Sequence, residues 1–216
     1  VIISHDRHFI NAVANVIVEV DHGRIETFGE AHGLPDRFVF SLAEDADGVV
    51  WAATRRGGLA RFEGNRFVPL PAAEQVLGRP AWCLTATSDG SMWVGTGQGA
   101  FQYRAGRQVR HLGDAQGLSN EDVRAIVEAP DGSLWIGTSH GLNHVQGDRI
   151  TSTVDLPEVG HVDVVISLLA EADGTLWAGT LTRGLLRLGS GSPTRFTTAH
   201  GLPTDTILSI LEDDAG

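Results

Sequence analysis

The sequence predicts an all-β fold of four-stranded antiparallel blades, each about 42 residues long. Three observations carry that expectation. The run Asp47-Gly48-Val49-Val50-Trp51 recurs as Asp89-Gly90-Ser91-Met92-Trp93, Asp131-Gly132-Ser133-Leu134-Trp135 and Asp173-Gly174-Thr175-Leu176-Trp177, with successive tryptophans 42 residues apart. Short segments rich in β-branched and large apolar residues lie between Asp-Gly and glycine-rich turns, and no helical apolar period is present. One column inside these segments, Ser41, Cys83, Ala125, Ser167 and Ser209, holds only small residues.

Each copy reads as four strands. The first covers 38–43, 81–86, 123–128, 165–170 and 207–212. The second runs through the tryptophan and ends in a threonine column, Thr54, Thr96, Thr138 and Thr180. The third follows a glycine, as in Gly58-Leu59-Ala60-Arg61-Phe62 and Gly184-Leu185-Leu186-Arg187-Leu188. The fourth carries Arg66-Phe67, Arg149-Ile150 or Arg195-Phe196. Connections this short cannot hold helical crossovers, so the copy is an antiparallel meander. A lone meander cannot bury both faces, whereas radially stacked sheets cover one another, which is the logic of a β-propeller. The expected architecture is a partial or small ring of four to five blades, with small residues where the innermost strands crowd together. Gly216 falls 42 residues after Gly174, so the array is expected to break off inside a fifth copy.

Composition removes whole classes of chemistry. All 16 basic residues are arginine, and without lysine there is no phosphate-loop lysine, Schiff base or serine-lysine dyad. The net charge of -11 argues against a nucleic-acid partner, whose phosphates require a basic face. The single cysteine, Cys83, excludes an internal disulfide and a cysteine zinc cluster. The longest apolar run, 164–170, is far short of a bilayer span. No cofactor is expected.

The order Gly-Leu-Pro, a strand ending in Glu-Asp, Asp-Gly-x-Leu-Trp-x-Gly-Thr, then Gly-Leu-x-Arg-Phe resembles the two-component-regulator propeller repeat. It is carried by residues 33–62 and 117–145, and a further copy begins at Gly201-Leu202-Pro203. Over 30–216, this resemblance implies a periplasmic or extracytoplasmic sensor propeller of a bacterial receptor. Such a propeller is fused to a histidine kinase, diguanylate cyclase or other output domain, and binds a small molecule or saccharide without turning it over. Residues 1–29 differ. The run Val1-Ile2-Ile3-Ser4-His5-Asp6-Arg7-His8-Phe9-Ile10 and the later Val18-Glu19-Val20-Asp21-His22-Gly23-Arg24-Ile25 are similar to the end of an ABC-F type ATP-binding-cassette domain. The resemblance puts His5 at a switch position that meets a nucleotide phosphate, but a chain with no glycine-rich loop and no lysine is not a competent ATPase. Shifted by 42, residues 20–28 also fall on 62–70, in phase with the third and fourth strands of a blade. The expectation is that this hairpin and the strand at 207–212 combine into one composite blade.

The acidic run Glu44-Asp45-Ala46-Asp47-Gly48 is read as turn chemistry rather than a calcium loop, and Gly95-Thr96-Gly97-Gln98-Gly99 as a strand-to-strand loop. The repeated tryptophans are read as packing between blades. Trp82 differs, since its column otherwise holds Phe40, Arg124, Ile166 and Leu208, and it is expected to project toward the axis or a neighbouring blade. Residues that vary between copies remain for recognition, and they concentrate in the loops before the first strand and between the second and third. The candidate ligand-binding residues there are Arg37, Arg55, Arg56, Gln98, Asn120, His140, His161 and Arg183, with arginine suited to carboxylates and other planar or anionic groups. An ordinary solvated rim is the plainer reading of each. Two alternatives to a binding module stand open. One is a propeller lyase of the virginiamycin-B type using His140 or His161 as base with magnesium. The other is a truncated fusion without function.

Overall fold

The structure is a computed structural model that describes residues 2–3, 8–11, 17–21, 24–56, 58–70, 79–154 and 164–212. Among these, twenty strands form five four-stranded sheets. The first sheet comprises β1 (Ile2–Ile3), β2 (His8–Asn11), β3 (Ile17–Asp21) and β4 (Arg24–Phe28). The second holds β5 (Val39–Glu44), β6 (Val50–Thr54), β7 (Leu59–Glu63) and β8 (Arg66–Pro69). The third holds β9 (Ala81–Ala86), β10 (Met92–Thr96), β11 (Gly99–Arg104) and β12 (Arg107–Leu112). The fourth holds β13 (Val123–Glu128), β14 (Leu134–Thr138), β15 (Gly141–Gln146) and β16 (Arg149–Val154), and the fifth β17 (Val165–Ala170), β18 (Leu176–Thr180), β19 (Leu185–Leu188) and β20 (Thr194–Phe196). Every sheet is an antiparallel meander in chain order, so each is a β-propeller blade. The chain divides into two compact units, Val1–His111 and Leu112–Gly216.

The Asp-Gly turns account for the acidic runs. In the second sheet Gly48 donates its amide to the Asp45 carbonyl at 3.0 Å, and Asp45 donates its own to the Val49 carbonyl at 3.0 Å. Gly48 holds a φ of 77°, which a side chain would strain. Asp89, Asp131 and Asp173 each accept the amide two residues on, from Ser91, Ser133 and Thr175 at 3.0, 3.0 and 2.7 Å. The carboxylates close turns.

Alternation along the strands divides each central sheet between two cores. In the first unit Trp51, Ala53 and Leu59 pack with Ala81, Leu84, Met92, Val94, Phe101 and Tyr103 of the third sheet. Their neighbours Val50, Ala52 and Ala60 face the other way, into a cluster with Phe28, Leu34, Val39 and Phe67. Trp51 meets Tyr103 edge to face at 5.8 Å, so this tryptophan is packing between blades, as the repeat predicts. In the second unit Val165, Ala178 and Leu186 form the corresponding core. The small column lies directly across the ladder from a second small column: Ser41 pairs with Ala53, Cys83 with Gly95, Ala125 with Gly137 and Ser167 with Gly179.

Three features depart from the sequence reading or go beyond it. Residues 207–212 join no sheet among the described residues. The first sheet is complete with its own four strands, Ile2–Ile3 pairing with β2. Among the described residues, 3-10 turns in the connections are spaced 84 residues apart. Single turns of 3-10 helix stand at Glu30–His32, Asp114–Gln116 and Thr198–His200. Each ends in a side chain that accepts an amide back across the turn, His32 from Gly29, Gln116 from Gly113 and His200 from Thr197. Finally, the first strands of the second to fifth sheets, β5, β9, β13 and β17, each carry a bulge. Val39 pairs with Thr54 and Ser41 with Ala53, so the ladder steps over Phe40, and the same step falls at Trp82, Arg124 and Ile166.

Candidate ligand-binding site

The loop between the second and third strands is closed the same way in four sheets. Thr54, Thr96, Thr138 and Thr180 are fully buried, and each donates its hydroxyl to a glycine carbonyl, of Gly58, Gly99, Gly141 and Gly184, at 2.8 to 3.1 Å. The same oxygens accept backbone amides from Gly58, Gln98, His140 and Arg183 at 2.9 to 3.2 Å. The repeated threonine thus spends both of its roles on the turn. Loop side chains are left outside the scaffold.

The loop before the first strand has its own device. Asp36 Oδ1 accepts the Phe38 amide at 2.8 Å, Asn120 Oδ1 accepts that of Asp122 at 2.8 Å, and Thr204 Oγ1 accepts that of Thr206 at 3.2 Å. Asn120, a candidate ligand contact, therefore serves the loop through its carbonyl oxygen.

In the first unit the structure brings Arg37, Arg55 and Arg56 together around Asp36 and Phe38. The Arg55 amide donates to the Phe38 carbonyl at 2.9 Å, which ties the two loops. Arg55 and Arg56 place Nε 3.9 and 3.7 Å from Asp36 Oδ2. Arg55 lies over the Phe38 ring at 3.8 Å and Arg37 at 4.9 Å. Gln98 occupies the equivalent loop of the third sheet, where its carbonyl meets His111 Nε2 at 2.8 Å. It is not part of the arginine cluster.

The second unit carries a different arrangement. Asp122 Oδ2 accepts Arg124 Nε and Nη2 at 2.9 and 2.6 Å and the Ser139 hydroxyl at 2.5 Å. Buried Asn143 bridges to Ser119, accepting its amide at 2.9 Å and donating Nδ2 to its hydroxyl at 2.9 Å. His140 is exposed beside this network. Arg183 is exposed near Arg195, whose guanidinium burial, and then the charge of Arg183, lower from its usual value. His5 and His161 lie outside the described residues.

The residues that sequence reasoning did not name as a site are those in the bulge column. Phe40 and Trp82 stack at 4.8 Å with their planes 31° apart, and Phe40 remains 37% exposed. A bulge re-aims the side chain it releases from the ladder. The signal was present in the sequence, since this first-strand column holds a different residue in every copy, aromatic, basic or aliphatic. Among the described residues no three histidine, cysteine, aspartate or glutamate side chains gather as a metal site would require.

Residues 33–56 and 117–140 match the two component regulator propeller family. Each of the two matched repeats, 84 residues apart, is entered through a 3-10 turn. No curated protein matches the chain. The extracellular domain of the hybrid two component system BT3049 from B. thetaiotaomicron superposes with a TM-score of 0.79 at 19% identity, over 93% of this chain and 28% of that one. The extracellular domain of BT4673 from the same organism gives 0.66 at 15%, over 99% and 37%. Virginiamycin B lyase from Staphylococcus aureus gives 0.70 at 18% identity, over 91% of this chain and 68% of that one. At these identities the likeness is one of fold, and propeller repeats of this kind support more than one activity. The chain spans little more than a quarter of the BT3049 domain.

Proposed function

We propose that this chain is a non-enzymatic ligand-binding module of a bacterial sensor propeller, acting outside the cytoplasm and passing ligand occupancy to a signalling output domain. One observation carries the reading: the repeated residues are consumed by the scaffold, while the bulge column and rim loops differ in every copy. The buried threonines close the loops, the Asp-Gly turns cap themselves and Trp51 packs between blades. By contrast the bulges release Phe40 and Trp82 in one unit, Arg124 and Ile166 in the other. A rigid frame that displays variable groups suits recognition. The repeat family and the two-component neighbours support the same reading. Residues 1–29 are taken as a cassette-domain end whose hairpin serves as blade strands.

The test is a titration of the chain with neutral and acidic mono- and oligosaccharides, followed by tryptophan fluorescence and calorimetry. Saturable binding, weakened at least several-fold by Trp82→Ala or Phe40→Ala, is expected. If none of the panel binds, the module reading falls. Lactone turnover that disappears in His140→Ala would replace it with the lyase reading.

A further inference from the structure

We infer that Arg37, Arg55 and Arg56, grouped around Asp36 and Phe38, form a binding site for a small oxyanion, a carboxylate or a sulfate carried on the ligand. This deepens the binding-module reading and rests on it.

The charge is out of keeping with the rest of the chain. Three guanidinium groups stand against a single carboxylate, a local excess of two positive charges in a protein of net charge -11. A purely structural ion pair needs one arginine, and no other copy of the same loop carries a pair: Gly97-Gln98 and Ser139-His140 stand where Arg55-Arg56 does, and Leu181-Thr182-Arg183 holds one. The scaffold therefore does not require the cluster.

The donors are also uncommitted. Asp36 is only 4% exposed, and its Oδ1 is taken by the Phe38 amide. Its Oδ2 lies 3.7 and 3.9 Å from the two Nε atoms, close enough to orient the guanidinium groups but beyond hydrogen-bond length. Among the described residues none of the three guanidinium groups donates a hydrogen bond, although each offers five N–H groups in a fork that matches an oxyanion. The heads are reachable, with the Arg55 side chain 39% and the Arg56 side chain 76% exposed.

The site is partly pre-organised. Arg55 and Arg37 both lie against the Phe38 ring, and the Arg55 amide is tied to the Phe38 carbonyl. Less side-chain freedom is then lost when an anion bridges the forks than for three arginines in solvent. Asp36 plays a double part: its Oδ1 holds the loop, and its Oδ2 opposes an incoming anion.

That opposition supplies a test with a sign. Asparagine occurs naturally at the matching position, Asn120, where its Oδ1 accepts the equivalent amide at 2.8 Å. Asp36→Asn therefore keeps the loop bond and removes the competing charge. The full chain is titrated with sodium galacturonate, sodium sulfate and galactose at constant ionic strength, by calorimetry. Galacturonate, sulfate or both are expected to bind, and galactose is not expected to bind at this site. Arg55→Ala/Arg56→Ala is expected to weaken the anion at least tenfold, and Asp36→Asn to tighten it several-fold. Binding of galacturonate alone assigns a carboxylate, and of sulfate alone a sulfate ester. The inference is overturned if neither anion binds, if the double variant binds as wild type does, or if folded Asp36→Asn binds more weakly. Should galactose or a neutral oligosaccharide bind with the arginine variants unaffected, the oxyanion site falls while the binding module stands. Both fall if nothing binds. Arg56→Ala alone, at a side chain so exposed, leaves folding intact and guards against a collapsed double variant.

Discussion

Gly137 of β14 rests against Val165 of the following sheet: a Cβ built on the glycine would lie 2.6 Å from Val165 Cγ1 and 3.0 Å from its carbonyl oxygen. The contact repeats with other sizes. Gly179 meets Ile207 at 2.8 Å, whereas Ala53 and Ala81, the matching pair in the first unit, share one core. Where the second strand has glycine the next first strand brings a β-branched residue, and where it has alanine the partner shrinks to alanine. Sheet spacing is conserved by exchanging volume between two columns.

Gly137→Ala is therefore expected to destabilise the chain by about 1–3 kcal/mol, the usual cost of overpacking. Val165→Ala added to it recovers part of the loss by recreating the Ala53–Ala81 pairing. Urea denaturation of the two single variants and the double gives the coupling, and strict additivity would refute the relationship.

Thr138→Val keeps the shape of the buried side chain but removes the hydroxyl that donates to Gly141 and accepts the His140 amide. Ser119 also meets that hydroxyl at 3.0 Å. A loss of about 1–3 kcal/mol is expected in urea unfolding, since the turn is left with unsatisfied groups. Hydrogen exchange at His140 should quicken by a matching factor.

Acid stability contains a contribution from Asp89. Burial, the largest single influence, raises its carboxyl. Hydrogen bonds from Thr87, Ser91 and Arg104 together outweigh it and bring the pKa down from 3.8 to about 2. The folded value lies below the unfolded one, so the stabilisation is present above pH 3.8 and is lost as pH falls toward 2. With the carboxylate 46% exposed, solvent screening holds the effect below about 1 kcal/mol. Asp89→Asn is expected to lower Tm slightly at neutral pH and to flatten the melting curve series below pH 4, read by circular dichroism.

The segment 207–212 presents Leu208 and Leu211 at 74% and 90% exposure without entering a sheet. Ile210 and Leu211 line, with Leu169, Trp177 and Leu185, a hollow of about 310 Å³. Exposed leucines outside any sheet favour association. Sedimentation velocity is expected to show concentration-dependent species that Leu208→Asp/Leu211→Asp removes.

The period of the sequence was enough to locate the blades, because Asp-Gly turns and the Trp and Thr columns are local and repeat with the sheet. First strands predicted at 81–86, 123–128 and 165–170 coincide with β9, β13 and β17. The bulge was not legible as such. It leaves the repeat length unchanged and exists only in the pairing of two strands, so Trp82 could be marked as unlike its column but not as released from the ladder. The strand at Ile2–Ile3 is not legible for a related reason, since two residues are too short to leave a periodic signal. In the sequence Arg55 and Arg56 stand out only by residue type and loop position. Their convergence on Asp36, 19 and 20 residues earlier, depends on two loops tied through the Phe38 carbonyl.

The buried threonine hydroxyls have an evolutionary consequence. Because each fastens its turn by a hydroxyl and a glycine carbonyl, the turn does not depend on which side chains it displays. Tips can be exchanged between copies, or drift independently, without refolding the sheets beneath them. Specificity in such an array can diversify one tip at a time, much as a keyring accepts a new key without being recast.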